Sequence, residues 1–175
     1  MAVLVFRVER IPTPVGVMML VTDSDGHARA VDWEDHEDRL QRLLSGYYRP
    51  HEIRLEGAPH ATHARSCVEA YFGGDLNAID SIPVVMAGTP FQKEVWEALR
   101  RIPVGATMSY SGLAVQLGRP KATRAVGLAN GANPIGVIVP CHRVIGADAS
   151  LTGYGSGLPR KRWLLEHEGV LLKLR

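Results

Sequence analysis

Turn residues divide this chain into short apolar segments whose spacing shifts from strand-like to helix-like. Phe6 to Ile11 and Val17 to Thr22 predict two strands around the turn Thr13-Pro14-Val15-Gly16. Asp23-Ser24-Asp25-Gly26 predicts a second turn, leading into a strand through Ala28, Ala30 and Trp33. Leu40, Leu43, Leu44 and Tyr47 then recur at the spacing of one helix face. A second helix carries Ala64, Cys67, Val68, Tyr71 and Phe72 on one stripe and stops at Gly73-Gly74, so Cys67 is expected in the core. His60 and His63 could share a helical face, but no carboxylate or thiol joins them, and they are read as surface residues. Residues 1–87 are thus expected to form a small α+β domain built on an antiparallel sheet.

After Ala87-Gly88 the pattern becomes mostly helical. Thr89-Pro90-Phe91-Gln92 reads as a capping box with proline at the first helical position, and Phe91, Val95 and Leu99 continue as an apolar stripe. Two short helices, from about Gly112 to Leu117 and Lys121 to Asn130, are joined by Gly118-Arg119-Pro120, the kind of turn found in a helix-turn-helix. The chain next passes Asn130-Gly131-Ala132-Asn133-Pro134 into the apolar run Ile135 to Val139. A last helix opens at Pro159 and closes at Glu168-Gly169. Residues 88–175 are expected to be the second domain.

Composition is that of an ordinary folded chain, with 46% hydrophobic and 22% charged residues among 175. Charge adds more. Residues 1–87 carry 8 Lys/Arg and 13 Asp/Glu, a balance of −5, whereas residues 88–175 carry 12 and 5, a balance of +7. Cation concentrated in one half suits a polyanion such as nucleic acid, although uneven solvated surfaces would look the same. Two cysteines make no disulfide framework and no zinc spacing, and no run reaches transmembrane length. The opening Met1 to Phe6 is too short for a signal segment and Arg7 interrupts it, so a cytoplasmic protein without membrane contact is expected.

Chemistry concentrates at Pro140-Cys141-His142-Arg143-Val144. Cysteine attacks as thiolate, and free cysteine is only a few per cent ionised near neutrality. An adjacent base and a nearby cation both raise that fraction, and His142 and Arg143 stand next to Cys141. A small buried thiol with no chemistry would fit the local sequence equally well. Upstream, the second helix of the pair is rich in small residues: Ala122, Thr123, Ala125 and Gly127 surround Arg124. Such a helix could approach a narrow groove closely, with Arg124 as its single long probe, or it could be an internal packed helix with Arg124 reaching solvent.

Taken in order, Arg124-Ala125-Val126-Gly127, Asn133-Pro134, Pro140-Cys141-His142-Arg143-Val144, Thr152-Gly153-Tyr154 and Trp163-Leu164-Leu165-Glu166-His167-Glu168-Gly169 resemble the O6-alkylguanine-DNA alkyltransferases. The resemblance spans essentially residues 89–175 and extends weakly over the first half. It implies an RNase H-like first domain and a winged helix-turn-helix in the second. It also implies direct reversal of DNA damage: the lesion is flipped from duplex DNA, and Cys141 takes the alkyl group from O6-alkylguanine once, irreversibly and without a cofactor. O4-methylthymine is a second candidate substrate.

By the same resemblance His142 acts as base through a bridging water, Glu168 orients it, and Tyr110 donates a proton to guanine N3. Arg124 fills the vacated stack, with Ala122, Thr123, Ala125 and Gly127 against the minor groove. Asn133 is a structural support, while Val144, Tyr154 and the backbone N–H of Gly155 line the pocket. A monomer without an obligate protein partner is expected, and cooperative loading on DNA is compatible with it. Gly136 and Gly155 replace a proline and a serine of some relatives, which puts tolerance of bulky alkyl groups in question. The structural zinc of some relatives is not expected, since the first half holds only Cys67. A non-catalytic lesion-binding protein would lack the cysteine, a helix-turn-helix regulator would need better groove-reading side chains, and a cysteine hydrolase would need an oxyanion site.

Overall fold

The computed structural model describes residues 1–170. The chain forms two compact units: one comprises Met1–Ala87 with Pro134–Ile138, the other Gly88–Asn133 with the chain from Val139 onward.

The first unit is built on four strands, β1 (Val3–Thr13), β2 (Gly16–Thr22), β3 (Ala28–Trp33) and β4 (Glu52–Gly57), in the order β3-β2-β1-β4. β1–β2 and β2–β3 pair antiparallel, as the turn residues predicted. The sheet is not purely antiparallel, however, because β4 runs parallel to β1, pairing Val3 with Glu52 through Val8 with Gly57. A parallel neighbour needs a crossover connection, and helix α1 (Glu37–Tyr47) supplies it. β2 holds the centre, where its run Met18-Met19-Leu20-Val21 is buried on both faces. Leu40 and Leu44 of α1 pack with Phe6, Met19, Val21 and Ala30 into one core. Helix α2 (His63–Phe72) is capped by the Thr62 hydroxyl, which accepts from the Arg65 N–H, and buries Ala64, Cys67, Val68 and Tyr71. The free edge of β3 is covered: Ala28 bonds to Pro83 and Val85, and the Val31 N–H donates to the Pro134 carbonyl at 2.9 Å. Covering an edge in this way removes a pairing surface for other chains.

The second unit has α3 (Pro90–Arg100), α4 (Tyr110–Gln116), α5 (Thr123–Gly131) and α6 (Leu158–His167), with a two-stranded parallel ribbon of β5 (Met108–Ser109) and β6 (Val144–Ile145). The capping box forms as read: the Thr89 hydroxyl accepts from the Gln92 N–H at 3.1 Å, and the Gln92 side chain accepts from the Thr89 N–H at 3.0 Å. α3 buries Val95, Trp96, Ala98 and Leu99, whereas Phe91 stays partly exposed beneath the Arg119 guanidinium. The Trp96 indole donates to the Ala129 carbonyl at 2.8 Å, tying α3 to α5. Gly118 takes φ +73° in the turn between α4 and α5, a conformation that glycine adopts without steric cost. Among the described residues no helix is long and apolar enough to cross a membrane.

Candidate active site

The backbone enters the site through two tight turns. Ile138 N–H donates to the Gly136 carbonyl at 2.9 Å around Val137, whose φ is +70°. Positive φ is strained for a β-branched residue, and it persists only where the surroundings hold it, as they do for fully buried Val137. Cys141 N–H then donates to the Val139 carbonyl at 2.8 Å around Pro140, at φ −82° and ψ 66°. That is the inverse γ-turn, which suits the restricted φ of proline. Cys141–Arg143 continue as one 3-10 turn, leaving Cys141 8% exposed and outside any disulfide.

His142 and Glu168, far apart in sequence, meet in the interior. His142 Nε2 lies 2.8 Å from Glu168 Oε2, and both side chains are wholly shielded from solvent. Arg143 grips the same carboxylate with two N–H groups, Nε to Oε1 at 2.7 Å and Nη2 to Oε2 at 3.1 Å, and donates Nη1 to the Ile102 carbonyl at 2.6 Å. Burial alone would raise the Glu168 pKa, but hydrogen bonds and charge from His142 and Arg143 outweigh it and hold the carboxyl at about 2. Burial lowers the His142 pKa, and the Arg143 and Lys161 charges add to this against the opposing pull of Glu168. The stable arrangement near neutrality is an ionised Glu168 and a neutral imidazole. An ionised carboxylate only accepts, so the imidazole proton belongs on Nε2 and the lone pair on Nδ1. Nδ1 is buried and has no hydrogen-bond partner among the described residues. It is a base with its lone pair available.

Arg143 is therefore not the cation beside the thiol; its donors are directed to Glu168 and Ile102. That position goes to Lys161, the middle of the basic triplet Arg160-Lys161-Arg162, which the sequence motifs above do not include. Lys161 is fully buried, and its Nζ donates to the carbonyls of Val144 at 2.7 Å and Thr152 at 2.6 Å, with Gly153 at 3.4 Å. Burial pushes its pKa down to about 8, and the charge of Cys141 opposes that fall. The coupling is mutual: a thiolate that favours the ammonium is itself favoured by it. A signal was present in the sequence, because Lys161, Leu164, Leu165 and Glu168 recur at i, i+3, i+4 and i+7 and all four are buried.

The remaining residues gather around this centre. β5–β6 pairing sets Met108 opposite Val144 and Ser109 opposite Ile145, which brings Tyr110 to the start of α4 beside the cysteine loop. Tyr110 is half-buried, and its hydroxyl lies 3.4 Å from the Thr152 carbonyl and 3.3 Å from the Thr152 hydroxyl. Asn133 donates Nδ2 to the Val139 carbonyl at 2.8 Å, just ahead of the thiol. Asn130, also unforeseen, is buried and donates to the Cys141 carbonyl at 3.4 Å. Val144 is buried with its carbonyl engaged by Lys161, Tyr154 is half-buried, and Gly155 is exposed.

On α5 the exposed positions are Lys121 just before the helix, then Arg124, Ala125, Leu128 and Gly131, while Ala122 and Thr123 are half-buried. Gly127 is not on this outer face. A Cβ placed there would lie 3.8 Å from Tyr110 Cδ1, so Gly127 seats the helix against the tyrosine.

Residues 90–170 match the DNA-binding domain described for 6-O-methylguanine DNA methyltransferase. Over 164 residues the chain is 50% identical to the methylated-DNA–protein-cysteine methyltransferase of Salmonella typhimurium, covering 94% of this chain and 96% of that one. It is 43% identical over 157 residues to the protein of the same name from Methanosarcina acetivorans, covering 90% and 94%. Its mixed α+β fold matches the crystal structure of Mycobacterium tuberculosis OGT in complex with DNA, with a TM-score of 0.75, 38% identity and 93% of each chain covered. Sequence likeness on this scale, with a buried Cys-His-Glu centre inside the matched region, means that the chain belongs to the methylated-DNA–protein-cysteine methyltransferase family.

Proposed function

We propose that this protein repairs O6-alkylguanine in duplex DNA by moving the alkyl group to Cys141, once per chain. The observation that carries the reading is the buried His142–Glu168 pair, which leaves the imidazole Nδ1 as a base immediately after the cysteine. Family membership supplies the substrate class, since the relatives are named for methylated DNA.

His142 Nδ1 draws the thiol proton through a water, and Glu168 stabilises the imidazolium that forms. The Lys161 ammonium favours the resulting thiolate. The sulfur then attacks the alkyl carbon: an S–C bond forms, the C–O6 bond breaks, and its electron pair returns to guanine. Tyr110 donates its hydroxyl proton to N3, so the base departs neutral, and the imidazolium proton replaces it through solvent. The step balances without a co-reactant, and the thioether product has no route back. A glycosylase-style flip brings the base to the thiol. Arg124 occupies the gap, Ala122, Thr123 and Ala125 permit close approach of α5, Gly127 lets the helix sit against Tyr110, and Val144, Tyr154 and Gly155 line the pocket. In this reading residues 1–87 are an RNase H-like domain, and residues 88–175 hold a winged helix-turn-helix that carries both DNA contact and acceptor. A non-catalytic lesion binder would have no use for the thiol and its buried base.

The test is intact mass after mixing with a duplex containing O6-methylguanine. One methylene should be gained per chain, mapped to the Cys141 peptide, with the reaction halting at one equivalent. Repeated turnover, or the methyl on Cys67, overturns the reading.

A further inference from the structure

The exposed stripe of α5 carries one residue that the small-residue character of the helix does not explain. Leu128 is 72% exposed, the largest exposure of any large apolar side chain among the described residues of the second unit. It lies one turn after Arg124, on the same face as Lys121, Ala125 and Gly131. Its helical neighbours Gly127 and Gly131 offer it no side chain to lean on, and the core side of the helix is already filled by Val126, Ala129 and Asn130. An isolated exposed leucine is common and needs no reason. Here, though, it projects from the middle of the face that also presents Lys121 and Arg124, with Arg119 just upstream.

We infer that Leu128 is a second, apolar wedge into the DNA minor groove, one helical turn from the Arg124 finger. The proposal rests on α5 being the DNA-facing helix. Groove-entering proteins commonly pair a cation with an apolar side chain that separates or leans on a base step. The cations at the N-terminal end of the stripe suit the phosphates, and a leucine between glycines can reach further than any alanine in the same helix. It should therefore act on groove shape rather than on charge. Duplexes whose lesion is flanked by flexible pyrimidine–purine steps should bind better than duplexes flanked by stiff, narrow A-tracts, because opening the groove costs less there.

The experiment measures binding of Cys141→Ser protein to a single-site lesion duplex as salt is varied, alongside reaction of the Cys141-containing protein with free O6-methylguanine base. Leu128→Ala should weaken duplex binding about tenfold, leave the salt slope unchanged and leave the free-base reaction unchanged. Leu128→Met should stay within about twofold of the parent, and the preference for flexible flanks should disappear in Leu128→Ala alone. Arg124→Ala should weaken binding and lower the salt slope by about 1. If Leu128→Ala binds as well as the parent, or more tightly, the wedge is refuted. Loss confined to long, multi-site duplexes also refutes it, since Leu128 would then join neighbouring proteins. If Arg124→Ala is also without effect, the fault lies with α5 as the DNA-facing helix, and the interface reading falls with it.

Discussion

Lys161 offers the sharpest quantitative test of the site, because its burial makes wild-type stability depend on pH in a direction few lysines show. The folded-state pKa of about 8 lies well below the ordinary 10.5. Between these values the unfolded chain holds a proton that the folded chain has released, so stability rises with pH by about 1.4 kcal/mol per unit. Across the whole interval the gain is about 3 kcal/mol. Below pH 8 both states hold the proton, and the burial of charge weighs against the fold in full. Lys161→Met keeps an unbranched side chain and has no such dependence, although it leaves the buried Val144 carbonyl without its donor.

The comparison should be made in chains carrying Cys141→Ser, which removes thiol ionisation from the balance. The lysine pKa falls further there, because the thiolate charge that helps hold its proton is gone. Urea unfolding from pH 7 to 10.5 should then show the parent gaining at least about 3 kcal/mol on its Lys161→Met partner. The absolute ranking at pH 7 is not the test, since charge relief and the orphaned carbonyl act in opposite senses. A difference that stays constant over the interval would refute the reasoning, for it would mean that Lys161 titrates alike in both states.

Glu168→Gln removes the charge that stabilises the imidazolium and leaves Arg143 buried without its counter-ion. Alkyl transfer measured by quench of a labelled duplex should fall about 100-fold or more, and unfolding free energy by about 3–5 kcal/mol. The wild type should also lose about 3 kcal/mol as pH falls from 4.5 to about 2, because a depressed carboxylate pKa stabilises the fold only above that window; Glu168→Gln should lack this component in acid titration. Tyr110→Phe should slow single-turnover transfer at least tenfold while duplex affinity changes less than twofold, and its melting temperature should hardly move, because among the described residues the hydroxyl bonds to exposed Thr152 alone. Gly88→Ala would put a methyl 2.6 Å from two atoms of the fully buried Trp96 ring, and thermal unfolding should show a loss of about 1–3 kcal/mol.

Features governed by near neighbours were legible in the sequence. The Thr89–Gln92 capping box, the Gly118 turn and the stripe on α2 each depend on residues within a turn or two, and each formed where the spacing put it. β4 was also legible and was missed: Glu52-Ile53-Arg54-Leu55-Glu56 alternates cleanly, but its parallel pairing depends on a crossover that no local pattern reports. Charged residues behaved differently. The spacing from Lys161 through Leu164 and Leu165 puts Glu168 on the buried face, but the partners that make its burial possible, Arg143 and His142, lie more than twenty residues away. The family resemblance named Glu168 and was silent on Lys161, although the periodicity of α6 held both. The rotation of α5 was misjudged at Gly127, which faces Tyr110, so the outer face is less uniformly small than its composition suggested.

That periodicity explains how one short helix can govern the reactivity of a residue outside it. Lys161 and Glu168 occupy the two ends of an apolar face whose middle is Leu164 and Leu165, roughly 10 Å apart at 1.5 Å per residue. In the proposed mechanism the cation acts on the sulfur and the anion on the imidazole, so moving a proton from Cys141 to His142 would be favoured at both ends of the transfer. Neither charge would suffice alone: without Lys161 the thiolate would form in an apolar surrounding, and without Glu168 the imidazolium would form wholly buried. Because Lys161 lies within α6 and Glu168 is the residue that caps its C-terminus, the backbone of one short element sets their spacing before the lesion arrives. A reagent that reacts once gains from such standing preparation, since no later turnover depends on the site being released.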